Sequence, residues 1–138
     1  MSLKVLDTDT VTLLMRGHAG VCSKAAAYDP SQLAVTIITV EEVMTGWYGQ
    51  IRRAKKDDQL VRAYAALQEA VEFLGQVQIL PFDATATEEF KLLRRLHRRT
   101  GTNDLRIAAI VRSRSATLVS ANQQDFKAIT GLPLEDWS

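Results

Sequence analysis

Acidic and amide side chains adjoin apolar runs of this sequence, most of them at points where strands are expected to give way to helices. They are Asp7 and Asp9 after the first run, Glu42 after the second, Asp104 before a long apolar segment, and Asn122 and Asp125 after the last run. If the strands are parallel, their carboxyl ends meet at one edge of one sheet, where open α/β proteins bind ligands. The spacing therefore predicts a cluster of oxygen ligands, which is the outline of a metal site.

Carboxylates that face one another favour a bound cation. Two of them about 4 Å apart repel by roughly 4 kcal/mol at an effective dielectric constant near 20. A hard divalent ion with oxygen ligands, Mg²⁺ or Mn²⁺, removes this repulsion. Zinc is disfavoured because Cys22 is the single cysteine and because His18 and His97 lack ligand spacing.

Such a site indicates hydrolysis of a phosphate ester. A metal ion held by acids lowers the pKa of a bound water and stabilises charge on the leaving oxygen. No serine or cysteine nucleophile is needed, and the sequence has no Gly-x-Ser-x-Gly elbow, phosphate-binding glycine loop or dinucleotide fingerprint. Cys22 is expected to be a small buried residue.

Helix capping is the alternative reading of the same residues. Thr39 and Glu42 have the spacing of a capping box. Asn103 with Asp104 fits a cap followed by an acid that the helix dipole favours. Asp7 or Thr8 could cap the first helix, and Asn122 the last. Capping and metal binding are compatible, since an acid in the first turn serves either.

Short apolar runs that alternate with helical patterns must position these residues, and they predict an α/β fold. We expect a mainly parallel sheet of four to five strands, over 3–7, 33–39, 77–82, 116–120 and an edge strand at 134–137. Helices are expected over 10–16, 19–28, 40–53, 57–75, 84–98, 103–113 and 126–129. The helix over 103–113 is apolar around most of its circumference and should be buried.

Composition describes an ordinary globular protein. The chain has 138 residues, of which 46% are hydrophobic and 24% charged, so we expect a single domain over 1–138. No apolar stretch approaches the roughly 18 residues of a membrane span, and no secretory signal is visible, so no membrane contact and a cytoplasmic location are expected. The lone cysteine fits a reducing compartment.

Cationic side chains are grouped in two places, over 52–56 and 94–99, although the net charge is only +1. Each group is either a solvated helix surface or a contact for a polyanion such as RNA. Aromatic residues do not interleave with these groups, so nucleic-acid binding is expected to be mainly electrostatic.

At these residues the chain resembles PIN-domain ribonucleases, specifically VapC-type toxins of toxin–antitoxin pairs. Leu6-Asp7-Thr8-Asp9 resembles the family's opening Leu-Asp-Thr-Asn, and Thr39-Val40-Glu41-Glu42 resembles its Thr-x-x-Glu. The segments Asp104-Leu105-Arg106-Ile107-Ala108-Ala109 and Leu118-Val119-Ser120-Ala121-Asn122 resemble its two later motifs. All of them occur in the family's order along the whole chain.

The resemblance implies a three-layer α/β/α PIN-like fold and a metal-dependent endoribonuclease that acts as the toxin of a type II toxin–antitoxin system. It also implies a homodimer and a small cognate antitoxin that covers the cleft. Leu60, Tyr64, Leu67 and Trp47 are candidates for the dimer face, or for the core.

Carried over to this chain, the resemblance makes Asp7, Glu42 and Asp104 the core ligands of Mg²⁺ or Mn²⁺. Asn122 stands where many members have a fourth acid, and it offers a carbonyl without a charge; Asp125 could complete the shell. The expected supporting residues are Thr8, Asp9 (where asparagine is usual), Thr39, Ser120 (where threonine is common) and Arg106. Arg106 would either hold the RNA backbone or neutralise the acids.

Two other functions stay open at this point. Asn122 is compatible with a catalytically weak PIN-like module that binds RNA or a partner without cutting. Asp7-Thr8-Asp9 also fits the Asp-x-Asp of a Mg²⁺-dependent phosphatase, in which Asp7 would be the nucleophile. Such phosphatases need a lysine near a later strand end, and none is well placed here.

Overall fold

A five-stranded parallel sheet lies at the centre of the fold. The structure is a computed structural model that describes residues 2–138. All pairings within the sheet are parallel, and the spatial order is β3-β2-β1-β4-β5. The strands are β1 (Lys4–Leu6), β2 (Leu33–Thr36), β3 (Gln78–Leu80), β4 (Thr117–Val119) and β5 (Leu134–Glu135). The predicted parallel sheet and its edge strand are confirmed.

Helices cover both faces of the sheet, as predicted. They are α1 (Thr8–Met15), α2 (Ala19–Ala26), α3 (Ile37–Arg53), α4 (Asp57–Leu74), α5 (Ala84–Leu96), α6 (Thr102–Ser113) and α7 (Gln123–Phe126), with a 3₁₀ turn at Pro30–Gln32. Alternate residues of β1 face opposite layers, since Val5 packs with the cluster that contains α5 and α6, and Leu6 packs with the cluster that contains α1 to α4. The α/β/α architecture follows from this alternation.

The helix after β2 begins earlier than its sequence indicates. Strand β2 ends at Thr36, and the side chain of Thr36 accepts a hydrogen bond from the Thr39 amide at 3.1 Å. Thr36 is therefore the helix cap, and the predicted strand to Thr39 and capping box of Thr39 with Glu42 were wrong. The apolar run continues through Ile38 because that side chain, 7% exposed, packs from the helix onto the core.

Two other boundaries differ from the prediction. Helix α6 is capped by Gly101 with no side-chain hydrogen bond, so the predicted cap at Asn103 was wrong. The last helix covers Gln123–Phe126 rather than 126–129, and Asn122 precedes it without capping it through its side chain. The predicted burial of 103–113 is confirmed by α6, in which Leu105 and the run Ile107–Val111 are all buried.

The apolar stripe of α4 is largely outside the core. Leu74 is buried, but Leu60, Tyr64 and Val71 are 38%, 54% and 51% exposed. The other buried positions of α4 are Ala63 and Ala70, whose small side chains allow close packing of the helix. The core reading of Leu60 and Tyr64 was therefore wrong.

The topology brings the ends of β1 and β4 together. The chain moves outward from β1 through β2 to β3 and then returns to the other side of β1 for β4. Ligands bind at such a switch in strand order, beyond the carboxyl ends of the strands. Among residues 2–138, every helix is too short or too polar to cross a membrane.

Candidate metal centre

Asp7 lies at this switch in strand order. Its amide donates to the carbonyl of Val119 at 3.0 Å, which fixes it beside the end of β4. One carboxylate oxygen caps α1 by accepting from the Thr10 amide at 2.9 Å, and the other accepts from the Ser120 hydroxyl at 2.5 Å. The residue is 4% exposed, and burial raises the pKa of its carboxyl while both hydrogen-bond donors oppose the rise. The predicted cap at Asp7 is confirmed.

Glu42 reaches the same place from the second turn of α3. One carboxylate oxygen accepts from the Thr8 hydroxyl at 2.5 Å, and the other accepts from the Asn103 side-chain amide at 3.4 Å. Thr8 also lies 3.3 Å from the hydroxyl of buried Thr39. These bonds join α1, α3 and α6 around one carboxylate.

Asp104 lies in the first turn of α6 and faces the other acids. Burial, followed by the negative charges of Asp125, Glu42, Asp7 and Asp9, raises the pKa of its carboxyl from 3.8 to about 6. No charge-bearing partner offsets this effect, since the ion pairs of the described residues do not include Asp104. The Asp104 carboxylate therefore lies among negative charges, and no ion pair of the described residues balances it.

One cavity of about 120 Å³ collects these side chains. It is lined by Asp7, Thr8, Asp9, Glu42, Asp104, Ile107, Asn122 and Phe126. Four carboxylates and one amide thus share a small space at the carboxyl edge of the sheet, and the predicted convergence is found. Asp125 does not line this cavity, but its carboxylate accepts a hydrogen bond from the Asn122 amide at 2.6 Å.

The supporting residues lie in different positions around the cavity. Ser120 is buried next to Asp7, to which its hydroxyl donates. The same hydroxyl accepts a hydrogen bond from the backbone N–H of Asn122 at 2.9 Å. Arg106 is linked to the acids through Asn103: it donates to the Asn103 side chain at 3.2 Å, and that side chain donates to Glu42. Its guanidinium also lies 5.9 Å from the centre of the Phe90 ring. No ion pair joins Arg106 to an acid within the described residues, and its neutralising role stays a prediction.

Asn103 is a site residue that sequence reasoning placed elsewhere. It was predicted to cap α6, whereas its side chain bridges Glu42 and Arg106 across the cavity wall. The signal for this role was its position next to Asp104 at the start of α6.

The donor set fits a hard divalent cation. Every polar group that lines the cavity offers oxygen, and the raised pKa of Asp104 reports a charge that a cation would offset. As the side chains of residues 2–138 are placed, no three acids, histidines or cysteines are arranged to hold a metal ion together. Hydroxyl groups occupy one oxygen of each of two carboxylates: Ser120 donates to Asp7, and Thr8 donates to Glu42.

Comparison with known proteins gives a consistent result. The chain is 28% identical to ribonuclease VapC1 of Haemophilus influenzae (strain R2866) and 25% identical to tRNA(fMet)-specific endonuclease VapC of Shigella flexneri, covering 97% of each chain in both cases. The solved structure of VapBC2 from Rickettsia felis bound to a DNA fragment from their promoter superimposes with a TM-score of 0.78 at 25% identity, covering 99% of both chains. The family model described as PIN domain matches residues 4–132, and the chain therefore belongs to the PIN-domain family.

Proposed function

We propose that this protein is a metal-dependent endoribonuclease that hydrolyses RNA phosphodiester bonds and acts as the toxin of a toxin–antitoxin pair. The observation that carries the proposal is the convergence of four carboxylates and Asn122 on one cavity at the switch in strand order. Family membership and relatives named as ribonucleases support it. Dependence on a divalent metal is a general property of these nucleases.

Asp7, Glu42 and Asp104 would hold Mg²⁺ or Mn²⁺ through carboxylate oxygens, with Asn122 adding its carbonyl and Asp125 acting through Asn122 or through water. When bound, such an ion lowers the pKa of water and stabilises negative charge on phosphate oxygens. The hydroxyls of Thr8 and Ser120 orient Glu42 and Asp7, and Thr39 supports Thr8. Asp9 adds negative charge to the lining of the cavity.

Arg106 is proposed to contact the RNA backbone from the rim of the site. Its guanidinium is anchored by Asn103 and by the face of Phe90, which leaves a fixed positive charge close to the cavity wall. A phosphate positioned this way needs no base-specific contact.

The partners follow from the same reading. Solved structures at 25% identity include VapBC2 and a member of the VapBC family of toxin–antitoxin systems, and we infer a cognate antitoxin for this chain. A homodimer is proposed because Leu60, Tyr64 and Val71 leave an apolar face of α4 exposed.

We further infer that 1–138 forms one PIN domain and that the protein acts in the cytoplasm, where its RNA substrate would lie.

The test is a cleavage assay on purified protein free of antitoxin. Structured RNA and a phosphomonoester are incubated with Mg²⁺, Mn²⁺ or a chelator, and the assay is repeated with Asp104→Asn prepared in parallel. RNA cleavage that needs the metal and that Asp104→Asn reduces at least about a hundredfold is expected. The matched control is Asp83→Asn, because Asp83 also starts a helix but lies outside the cavity.

The other outcomes separate the alternatives. RNA binding without cleavage would indicate a catalytically weak module, in line with the neutral Asn122. Release of phosphate from the monoester would indicate a phosphatase. Cleavage that persists in the chelator, or in Asp104→Asn, would contradict the proposed site.

A further inference from the structure

A groove continues from the acid cavity along α3. A second cavity of about 200 Å³ shares Thr8 and Glu42 with the acid cavity. A third, of about 420 Å³, lies between the ends of α3 and α4 and shares Trp47 and Gln50 with the second. The three cavities therefore form one path, which we call the α3 groove.

The α3 groove is cationic beyond the acid cavity. Arg16 lines its second cavity, and Arg53 and Arg62 line its third. Among the described residues that line these two cavities, Glu42 at the junction is the single acid. The charge thus changes from negative at the metal site to positive along the groove.

The arginines are available to a ligand. The guanidinium of Arg53 folds back along α3 over Gly49, where an added Cβ would lie 3.2 Å from Nη1, so it turns toward the acid end. Arg62 pairs with Asp58 at 3.4 Å, but both side chains are mostly exposed, at 72% and 65%. An exposed pair of this kind is weak, and a phosphate competes with it readily.

Trp47 stands where the second and third cavities meet. Its side chain is partly buried against the core cluster beneath α3, which fixes the ring while part of it lines both cavities. A fixed aromatic ring beside a cationic track is the arrangement that binds single-stranded nucleic acid, since any base stacks on it. The sequence hid this pairing because Trp47 precedes the basic group 52–56 rather than interleaving with it.

We propose that the α3 groove binds a single-stranded flank of the RNA substrate, with Trp47 stacking on a base and with Arg16, Arg53 and Arg62 binding phosphates. The inference rests on the proposed ribonuclease function. From Glu42 to Arg53 the helix rises about 16 Å, at about 1.5 Å per residue. That length spans about five nucleotides of a stacked strand, at about 3.4 Å each.

A polypeptide is the rival occupant of this groove. The lining favours RNA, because it combines arginines with Gln50 and Gln59, and its apolar part beyond Trp47 consists mainly of alanines. A peptide with apolar anchors would need deeper apolar pockets than these.

Binding is measured by anisotropy of a fluorescein-labelled decauridylate. The protein carries Asp104→Asn and is kept in a chelator, so that the oligonucleotide is not cut during the measurement. Arg53→Gln should weaken binding about threefold or more and reduce the slope of log affinity against log salt by about 0.7. Arg52→Gln is the matched control, because the neighbouring Arg52 does not line the groove, and the slope should not change.

The ring is tested with Trp47→Leu, which keeps apolar packing but removes the stacking face. Binding should fall about five- to a hundredfold. The quenching of tryptophan fluorescence by the oligonucleotide should disappear in this variant, since Trp137 is only 5% exposed. Trp47→Phe keeps an aromatic ring and should retain most of the affinity. The melting temperatures of Trp47→Leu and Trp47→Phe are measured to check that both variants fold.

Cleavage assays separate this inference from the function on which it rests. With Mn²⁺ and an otherwise active site, Arg53→Gln and Trp47→Leu should raise KM and leave kcat unchanged. If the wild-type protein cuts no RNA, the proposed function fails. If it cuts RNA and these variants match it in KM, in oligonucleotide affinity and in salt slope, the RNA path is wrong, and a polypeptide becomes the better occupant of the groove.

Discussion

Replacing Asp104 by asparagine should stabilise the metal-free protein while it removes activity. The carboxylate is penalised by burial and by the charges of Asp125, Glu42, Asp7 and Asp9, and no cation is paired with it among the described residues. An amide of the same shape removes the charge and exchanges one acceptor oxygen for an NH₂ donor. The free energy of unfolding should therefore rise.

The magnitude follows from the pKa of Asp104. A change from 3.8 to about 6 corresponds to roughly 3 kcal/mol of penalty on the charged form at neutral pH. The side chain is partly exposed, and the amide still has to be desolvated, so we expect a gain of about 1–2 kcal/mol. For a chain of this size that raises Tm by roughly 3–8 °C.

The gain should depend on pH in one direction. Because the folded-state pKa lies above the unfolded value of 3.8, the wild-type carboxyl is neutral in both states below about pH 3.8 and carries no penalty there. The penalty grows between pH 3.8 and about 6 and is complete above that range. The difference between Asp104→Asn and wild type should therefore be largest near pH 7.5 and small near pH 4.

The assay is thermal or urea unfolding of both proteins in a chelator, at pH 4 and pH 7.5, and again with Mn²⁺. Mn²⁺ should raise the Tm of the wild type more than that of the variant, because a ligand that binds only the folded state stabilises it. Asp83→Asn is the control: asparagine also caps helices well, so α5 should lose little stability. A lower Tm for metal-free Asp104→Asn at pH 7.5, or an equal gain at both pH values, would refute the reasoning.

Three further substitutions test the supporting structure. Ser120→Ala should lower cleavage about 10–100-fold and reduce stability by about 1–3 kcal/mol, since it removes the donor to Asp7; kinetics and urea unfolding measure both. Thr36→Ala should cost about 1 kcal/mol by uncapping α3, whereas Thr36→Ser should restore most of the Tm. Gly46→Ala should gain about 0.5–1 kcal/mol, because an added Cβ meets nothing within 4 Å and alanine favours the helix; a lower Tm would indicate a clash.

The sheet and the position of the acids could be predicted because they depend on local pattern. Short β-branched runs alternate with helical periods, and polar residues follow the strands directly. The residue at which the helix after β2 begins could not be predicted, because Ile37 and Ile38 suit a strand as well as a helix. The Thr36 cap decides the matter in favour of the helix.

The surroundings of the acids depend on contacts between distant segments, and these carry no local signal. Thr8 donates to Glu42 across 34 positions, and Ser120 donates to Asp7 across 113. The core position considered for the apolar stripe of α4 was wrong for a related reason. Spacing showed which side chains share a face, but Tyr64 lies outside because buried Ala63 provides the closer packing surface.

Compared with the family pattern, this chain has an additional carboxylate at Asp9 and an amide in place of an acid at Asn122. The hydrogen bonds of the site explain this difference. Asn122 donates its amide to the Asp125 carboxylate at 2.6 Å, so an acid at 122 would place two carboxylates in contact. The neutral amide therefore allows Asp125 to sit close enough to raise the pKa of Asp104. Asp9, in the first turn of α1, supplies the fourth carboxylate that lines the cavity. The negative charge expected at 122 is thus carried by Asp9 and Asp125, and both act on Asp104 and contribute to the attraction of the site for a cation.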